Sequence, residues 1–172
     1  MSLCLKLVVF LCLSFAVVAS FISLSTNFWI EHDSSAHHQG LWFFCNDEDI
    51  GCQEFDEDPQ IKSTGMPDWH NGVLMLLIIG AAIQVVSLFL FFISCISNRF
   101  LCCNIFLVVL LGIAWICITA AMAIYTQKFH SVMDNGYSWG YSFILGWVSF
   151  TFNLLSVILA FVYMMTQQNI RH

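Results

Sequence analysis

Two cysteines, Cys45 and Cys52, are the residues best placed for chemistry in this chain of 172 residues. They are the only cysteines in the long polar segment 25–72. In an oxidising compartment we expect a disulfide between them, and the short loop that it closes would contribute about 2–3 kcal/mol of stability. The residues between them, Asn-Asp-Glu-Asp-Ile-Gly, are typical of a turn, with strands predicted at 41–44 and 53–55. The segment is therefore predicted to hold a small disulfide-stapled β-ribbon.

Acidic and histidine side chains in the same segment could bind cations. The acidic clusters 47–49 and 56–58 lack the alternating ligands and the turn glycine of a calcium loop. The histidines match no tight zinc spacing: His32, His37, His38 and His70. We interpret the clusters as a solvated negative surface that attracts cations and basic partners, with metal binding and protonation of the histidines near pH 6 as the alternatives. No metal and no cofactor is expected.

Four other cysteines lie at the ends of apolar runs: Cys4, Cys95, Cys102 and Cys103. Cys102 and Cys103 follow Arg99 closely, a position that favours S-palmitoylation at a membrane edge, and free thiols are the alternative. The sequence has no phosphate-binding glycine loop, no paired membrane carboxylates and no nucleophile elbow, so we expect no enzyme. The net charge of −6 excludes nucleic acid as a partner.

The composition places most of the chain in lipid. Hydrophobic residues make up 59% of it and charged residues only 9%, whereas a soluble domain carries about 25% charged residues. Four apolar runs without Asp, Glu, Lys, Arg or His are long enough to cross a bilayer: 7–24, 73–96, 101–125 and 142–165. Backbone polar groups in hydrocarbon must bond internally, so these runs are predicted to be helices. The predicted fold is an all-α membrane protein, a single tetraspan domain (1–172) with a left-handed antiparallel four-helix bundle.

Charge distribution predicts the orientation of this bundle. All 11 acidic residues fall in the segments 25–72 and 126–141, whereas Lys6, Arg99 and Arg171 fall on the other side. Because Lys and Arg beside membrane spans tend to stay cytoplasmic, both termini, the loop 97–100 and the tail 166–172 are predicted to be cytoplasmic. Residues 1–20 have an alternative interpretation as a signal peptide, because small residues follow an apolar stretch there.

Small and polar residues recur at steps of three and four along each apolar run. Five of them are predicted to line the helix seam: Gly80, Gln84, Gly112, Gly146 and Asn153. Hydrogen bonds from Gln84 and Asn153 across the seam would contribute about 0.6–2 kcal/mol each. A substrate path is the alternative, but the absence of ionisable residues from the runs favours packing. The aromatic residues near the outer ends of the runs predict an interfacial belt: Trp29, Trp69, Tyr125, Trp139 and Tyr141.

The pattern Trp29, Gly40-Leu41-Trp42, Cys45 and Cys52 between two spans resembles the signature of the superfamily of claudins, peripheral myelin protein, epithelial membrane proteins and lens-fibre membrane proteins. Five short segments are similar to its branch with the lens-fibre intrinsic protein and the natural-killer-cell granule protein: 24–29, 36–39, 123–126, 137–139 and 144–147. The resemblance implies a claudin-like fold in which Trp29, Gly40, Leu41 and Trp42 seat the ribbon on the helix ends.

Three departures from the family pattern narrow the predicted function. The chain ends Asn-Ile-Arg-His with no evident PDZ ligand, no Arg precedes the second span, and no Asn-x-Ser/Thr sequon occurs. These absences disfavour the tight-junction and myelin branches. We expect a structural or adhesive role at cell–cell contacts in the plasma membrane, as a homo-oligomer or with related tetraspans in cis or trans. The alternatives are a regulator of vesicle or cytotoxic-granule exocytosis in lysosome-related granules, and a claudin-type paracellular cation-selective barrier.

Overall fold

The computed structural model describes residues 2–32, 37–46, 51–54, 68–96, 101–133 and 136–169. Within these ranges the chain forms four long helices: α1 (Ser2–Ser25), α2 (Asp68–Ile96), α3 (Leu101–Met133) and α4 (Tyr141–Asn169). Each contains a segment long and apolar enough to cross a membrane: Cys4–Ser25, Trp69–Cys95, Ile105–His130 and Tyr141–Thr166. The predicted membrane helices are confirmed.

The helices are longer than the apolar runs that predict them. The largest extension is in α3, which continues past Tyr125 to Met133. Hydrophobicity marks where lipid surrounds a helix, whereas the helix itself continues as long as its backbone hydrogen bonds do. The limits of the spans and loops inferred from the sequence therefore stay predictions.

The helices form an antiparallel bundle. Helix α1 packs against α2 and α4, and α3 packs against the same two helices. The carboxyl ends of α1 and α3 and the amino ends of α2 and α4 lie together at one end, which carries a β-sheet. Two buried clusters fill the bundle. The one next to the sheet includes Trp29, Tyr125 and Phe143. The other lies away from the sheet: Val9, Leu13, Phe91, Leu107, Leu111 and Ala160. The antiparallel bundle is thus confirmed, and its handedness stays a prediction.

The sheet has five strands, so it is larger than the predicted ribbon. The strands are β1 (Ile30–His32), β2 (His38–Gln39), β3 (Phe43–Asn46), β4 (Gly51–Glu54) and β5 (Tyr137–Trp139). Their spatial order is β4-β3-β2-β1-β5, and all neighbours are antiparallel. The last strand belongs to the second loop. Three residues are too few for an alternating pattern, which is why sequence reasoning missed β5.

The strands of the ribbon are shifted from their predicted positions. Strand β3 begins at Phe43, not at Leu41, and β4 begins at Gly51. The expectation that Leu41 and Trp42 lie in the strand was wrong. These two side chains lie at the helix ends instead. Leu41 is fully buried, and Trp42 is hydrogen-bonded to α1.

Candidate functional site

The disulfide lies in the β3–β4 hairpin. Cys45 and Cys52 stand directly opposite each other in the strand register and are joined by a disulfide, with 4.0 Å between their Cα atoms. The Cys45 side chain is fully buried, whereas Cys52 is exposed. The bridge therefore fixes the register of the hairpin and connects its outer strand to a residue packed inside the sheet. The expected disulfide is confirmed.

One histidine lies beside the disulfide. His38 pairs with Cys45 across β2 and β3, and ligand atoms of His38, Cys45 and Cys52 lie within 4.8 Å of one another. Zinc binds cysteine as the thiolate, and both sulfurs here are committed to the disulfide. The His38 ring instead stacks on Phe28, with 4.2 Å between ring centroids. The cluster is therefore part of the packing of the sheet.

Trp29 connects the sheet to the helix bundle. Its side chain is fully buried, and its indole N–H donates to the carbonyl of Ser23 in α1 over 2.8 Å. The ring meets Tyr125 of α3 and Phe143 of α4 edge-on, at centroid distances of 4.7 and 5.9 Å. One side chain thus joins three helices immediately below the sheet.

Trp42 performs the same capping function one residue later in α1. Its indole N–H donates to the carbonyl of Leu24 over 2.7 Å, although 40% of the side chain is exposed. The carbonyl of Ile22 accepts from the backbone N–H and the hydroxyl of Thr26. The last carbonyls of a helix have no partner inside the helix, so they need donors from elsewhere. The two tryptophans and Thr26 supply the missing donors.

Gly40 and Leu41 hold the first loop close to the bundle. A Cβ atom added to Gly40 would lie 2.5 Å from the Cα of Asn27, so only glycine allows this backbone approach. The backbone carbonyl of Leu41 lies 3.0 Å from Nε2 of His70 in α2. Because a carbonyl can only accept, Nε2 of His70 carries the proton in this contact. His70, which the sequence suggested as a candidate for metal binding or protonation, is therefore a structural contact between loop and helix.

The second loop is fastened to the first through Ser142 and Gly140. The backbone N–H of Ser142 donates to the carbonyl of Phe28, and its hydroxyl contacts the hydroxyl of Thr26 at 2.6 Å. The N–H of Gly140 donates to the carbonyl of Trp29. A Cβ atom at Gly140 would overlap the carbonyl group of Phe28. The sequence signal for this junction was a glycine two residues before the fourth apolar run, and it was not recognised.

The comparisons with known proteins agree with this geometry. The model of the PMP-22/EMP/MP20/Claudin family matches residues 1–160. The chain belongs to that family. Among similar proteins are epithelial membrane protein 1 of Oryctolagus cuniculus, 28% identical over 152 residues, and that of Homo sapiens, 27% identical over 150 residues. These matches cover 84% and 85% of this chain, and 88% of each relative. The predicted family is confirmed, and the lens-fibre and granule branch within it stays a prediction.

The aromatic residues of this family member form a buried cluster more than a belt. Trp29 and Tyr125 are fully buried, Trp69 and Trp139 are half-buried, and only Tyr141 is exposed. Trp139 stacks on Phe143 with 4.0 Å between centroids. The sequence shows that these residues lie near the membrane edge, but not on which side of a helix. The belt prediction was therefore wrong for the two buried residues.

A polar layer crosses the bundle between its two buried clusters. Gln84 of α2 is fully buried, accepts from the Ser20 hydroxyl of α1 over 2.8 Å and donates to the Ser149 hydroxyl of α4 over 3.3 Å. Ser149 in turn contacts the carbonyl of Ala16. Asn153 is buried one turn further along α4, and within the described part of the chain its amide has no hydrogen-bond partner. Only one of the two predicted seam amides is thus bonded across helices.

The three seam glycines differ in their surroundings. A Cβ atom at Gly80 would lie 2.8 Å from Cγ1 of Ile118, and one at Gly146 would lie 2.7 Å from the sulfur of Met122. Both glycines therefore allow close helix contacts. Gly112 is half-buried, and a Cβ there would meet no atom within 4 Å. The structure brings Gly80 and Gly146 into the seam and leaves Gly112 outside a close contact.

Two groups of predicted site residues lie outside the part of the chain that the structure describes. The acidic clusters 47–49 and 56–58 lie outside the described residues, and so do the side chains of Cys102 and Cys103 at the start of α3. Cation attraction by the clusters and palmitoylation of the two cysteines accordingly stay predictions.

Proposed function

We propose that this protein is a non-enzymatic tetraspan with a structural and adhesive role at cell–cell contacts, where its sheet meets another molecule. The observation that carries the proposal is the joining of both loops in one sheet, since β1 pairs with β2 on one side and with β5 on the other. The inner side of this sheet is fixed to three helices through Trp29. A rigid, stapled platform is suited to binding another protein surface with little loss of conformational entropy.

The proposed orientation places the sheet outside the cell and both termini in the cytoplasm, with the plasma membrane as its location. The disulfide between Cys45 and Cys52 supports this orientation, because disulfides persist in oxidising compartments. The basic residues Lys6, Arg99 and Arg171 support it as well, because they flank spans on the opposite side. We further propose that the mature protein retains residues 1–20, because Ser20 contributes to the polar layer. Intact-mass measurement of the purified protein tests their retention.

The proposed partner is a second copy of this chain or a related tetraspan, in cis or in trans. The lipid bilayer is the environment of the four helices. The exposed side chain of Ser138 in β5, at one edge of the sheet, and the exposed Trp42 offer contact points outside the bundle.

The experiment expresses the chain in non-adhesive cells and mixes two differently labelled populations. We expect the protein to concentrate at contacts where both cells express it, and to remain uniform where only one cell does. Ser138→Arg places a charged, bulky group on the sheet edge and should reduce this enrichment. Asn71→Arg, an exposed position at the start of α2 off the sheet, is the matched control.

Three results would overturn the adhesive role. A uniform surface distribution in contacts between expressing cells would remove it directly. Accumulation in lysosome-related granules would favour the exocytosis regulator, and a cation-selective paracellular conductance in epithelial layers would favour the barrier component.

A further inference from the structure

A groove lies between α3 and α4 near the sheet. It is lined by Ala123, Thr126, Gln127 and His130 of α3 and by Trp147 of α4, and its volume is about 530 Å³. The groove is open along most of its surface, so a molecule bound in it stays partly in contact with its surroundings. None of the polar contacts described for the sheet uses the groove, so it is separate from the proposed adhesive surface.

The groove faces lipid at the sheet end of the bundle. Its α3 wall is the last part of the span Ile105–His130, and Trp147 lies near the start of the span Tyr141–Thr166. From Ala123 to His130 the wall rises about 10 Å along the helix axis. The exposed side chains of Ile116 and Ile144 continue the same helices as lipid-facing surface. The groove therefore joins the hydrocarbon at one end and the headgroup region of the sheet-side leaflet at the other.

The apolar part of the groove is an aromatic side chain packed against two others. The Trp147 ring meets Phe150 edge-on at a centroid distance of 5.4 Å and Phe143 at 6.4 Å. Opposite it, the small side chain of Ala123 leaves room for a ligand. A fixed aromatic wall and an alanine favour a flat, stiff ligand, which loses less conformational entropy on binding than a flexible acyl chain.

The polar part offers neutral hydrogen-bonding groups. Gln127 has an amide and His130 an imidazole, and both side chains are exposed. The Thr126 hydroxyl donates to the carbonyl of Met122, which leaves its oxygen free to accept. The described lining residues include no Lys, Arg, Asp or Glu. Phosphate headgroups are preferentially bound by Arg and Lys, whereas an amide and an imidazole suit a single hydroxyl.

We propose that this groove binds a membrane sterol of the sheet-side leaflet. The fused rings lie between Trp147 and Ala123, and the sterol hydroxyl is hydrogen-bonded at the level of Gln127 and His130. We choose a sterol because the groove combines a flat apolar wall, an uncharged polar end and direct access from the bilayer.

The test uses the full chain in phosphatidylcholine nanodiscs with a sterol that carries a photoactivatable diazirine. We expect labelling of peptides that contain residues 123–130 or Trp147, in competition with unlabelled cholesterol. Ala123→Phe fills the groove and should reduce this labelling by about tenfold or more. Ala82→Phe, at an exposed alanine of α2 away from the groove, is the matched control and should leave labelling unchanged.

A second variant and a second probe keep the test decisive. Gln127→Leu removes one polar partner and should weaken sterol labelling by about two- to tenfold, the size of one net hydrogen bond. A diazirine phosphatidylcholine that labels the same peptides and is displaced by Ala123→Phe would show a phospholipid groove and overturn the proposal. Sterol labelling that is equal in wild type, Ala123→Phe and Gln127→Leu would overturn it as well.

Discussion

Trp29 and Trp42 donate their indole N–H groups to adjacent carbonyls in the last turn of α1, those of Ser23 and Leu24. The two tryptophans are 13 positions apart in the chain, and β1 and β2 lie between them. The first loop must therefore fold back completely before the last carbonyls of α1 receive both hydrogen bonds. Helix capping and sheet formation are coupled at this junction.

The two indole hydrogen bonds should differ in their contribution to stability. Trp29→Phe leaves the buried carbonyl of Ser23 without its donor, so we expect a loss of about 1–3 kcal/mol in the free energy of unfolding, plus a packing contribution. Trp42→Phe should cost less, about 1 kcal/mol, because the exposed side of that residue admits water. Thermal unfolding in nanodiscs measures both. A larger loss for Trp42→Phe would contradict the assigned burial.

Loss of the disulfide should impair folding and transport to the cell surface. Cys45→Ser and Cys52→Ser each remove a bridge expected to contribute about 2–3 kcal/mol, and we expect retention in the endoplasmic reticulum. Surface biotinylation quantifies the effect. Cys117→Ala, at a half-buried free cysteine of α3, is the control and should reach the surface normally. Normal surface amounts of Cys45→Ser would refute the structural importance of the bridge.

The two buried amides of the seam should respond in opposite ways to the same substitution. Gln84→Leu removes hydrogen bonds to Ser20 and Ser149 and should destabilise the bundle by about 0.6–2 kcal/mol. Asn153→Leu removes an amide without a described partner and should be neutral or stabilising. Unfolding of each purified variant in mixed micelles gives the comparison. Equal destabilisation would show that Asn153 has a bonded partner.

Glycine-to-alanine substitutions should separate contact positions from open ones. Gly40→Ala and Gly140→Ala force a Cβ against the backbone of residues 27 and 28, so both should abolish surface expression. Gly72→Ala and Gly112→Ala meet no neighbouring atom in helices α2 and α3, and they should stabilise the protein by about 0.5–1 kcal/mol. Flow cytometry and thermal unfolding test the two pairs. Full expression of Gly140→Ala would contradict the close approach to Phe28.

The features that could be predicted from the sequence are those that appear as a pattern along the chain. Long apolar runs predicted the four helices. The disulfide was predicted because Cys45 and Cys52 are the only two cysteines in the polar segment between two runs. Features that depend on side-chain direction were not accessible. Hydropathy places Trp29 and Tyr125 at the membrane edge. It does not show that their rings meet edge-on inside the bundle, with 4.7 Å between centroids. Likewise, Gly112 and Gly146 look alike in the sequence, and only the packing of Met122 separates them.

The position of β1 between β2 and β5 restricts how these loops can be exchanged between relatives. A chimera that received the first loop alone would combine β1 with a second loop from another protein. The pairing of β1 with β5, from Ile30↔Trp139 to His32↔Tyr137, would then have to form with different residues on the β5 side. The backbone bonds of Ser142 and Gly140 to residues 28 and 29 would be lost at the same time. Chimeras of this protein with a relative should therefore exchange both loops together with the first turn of α4.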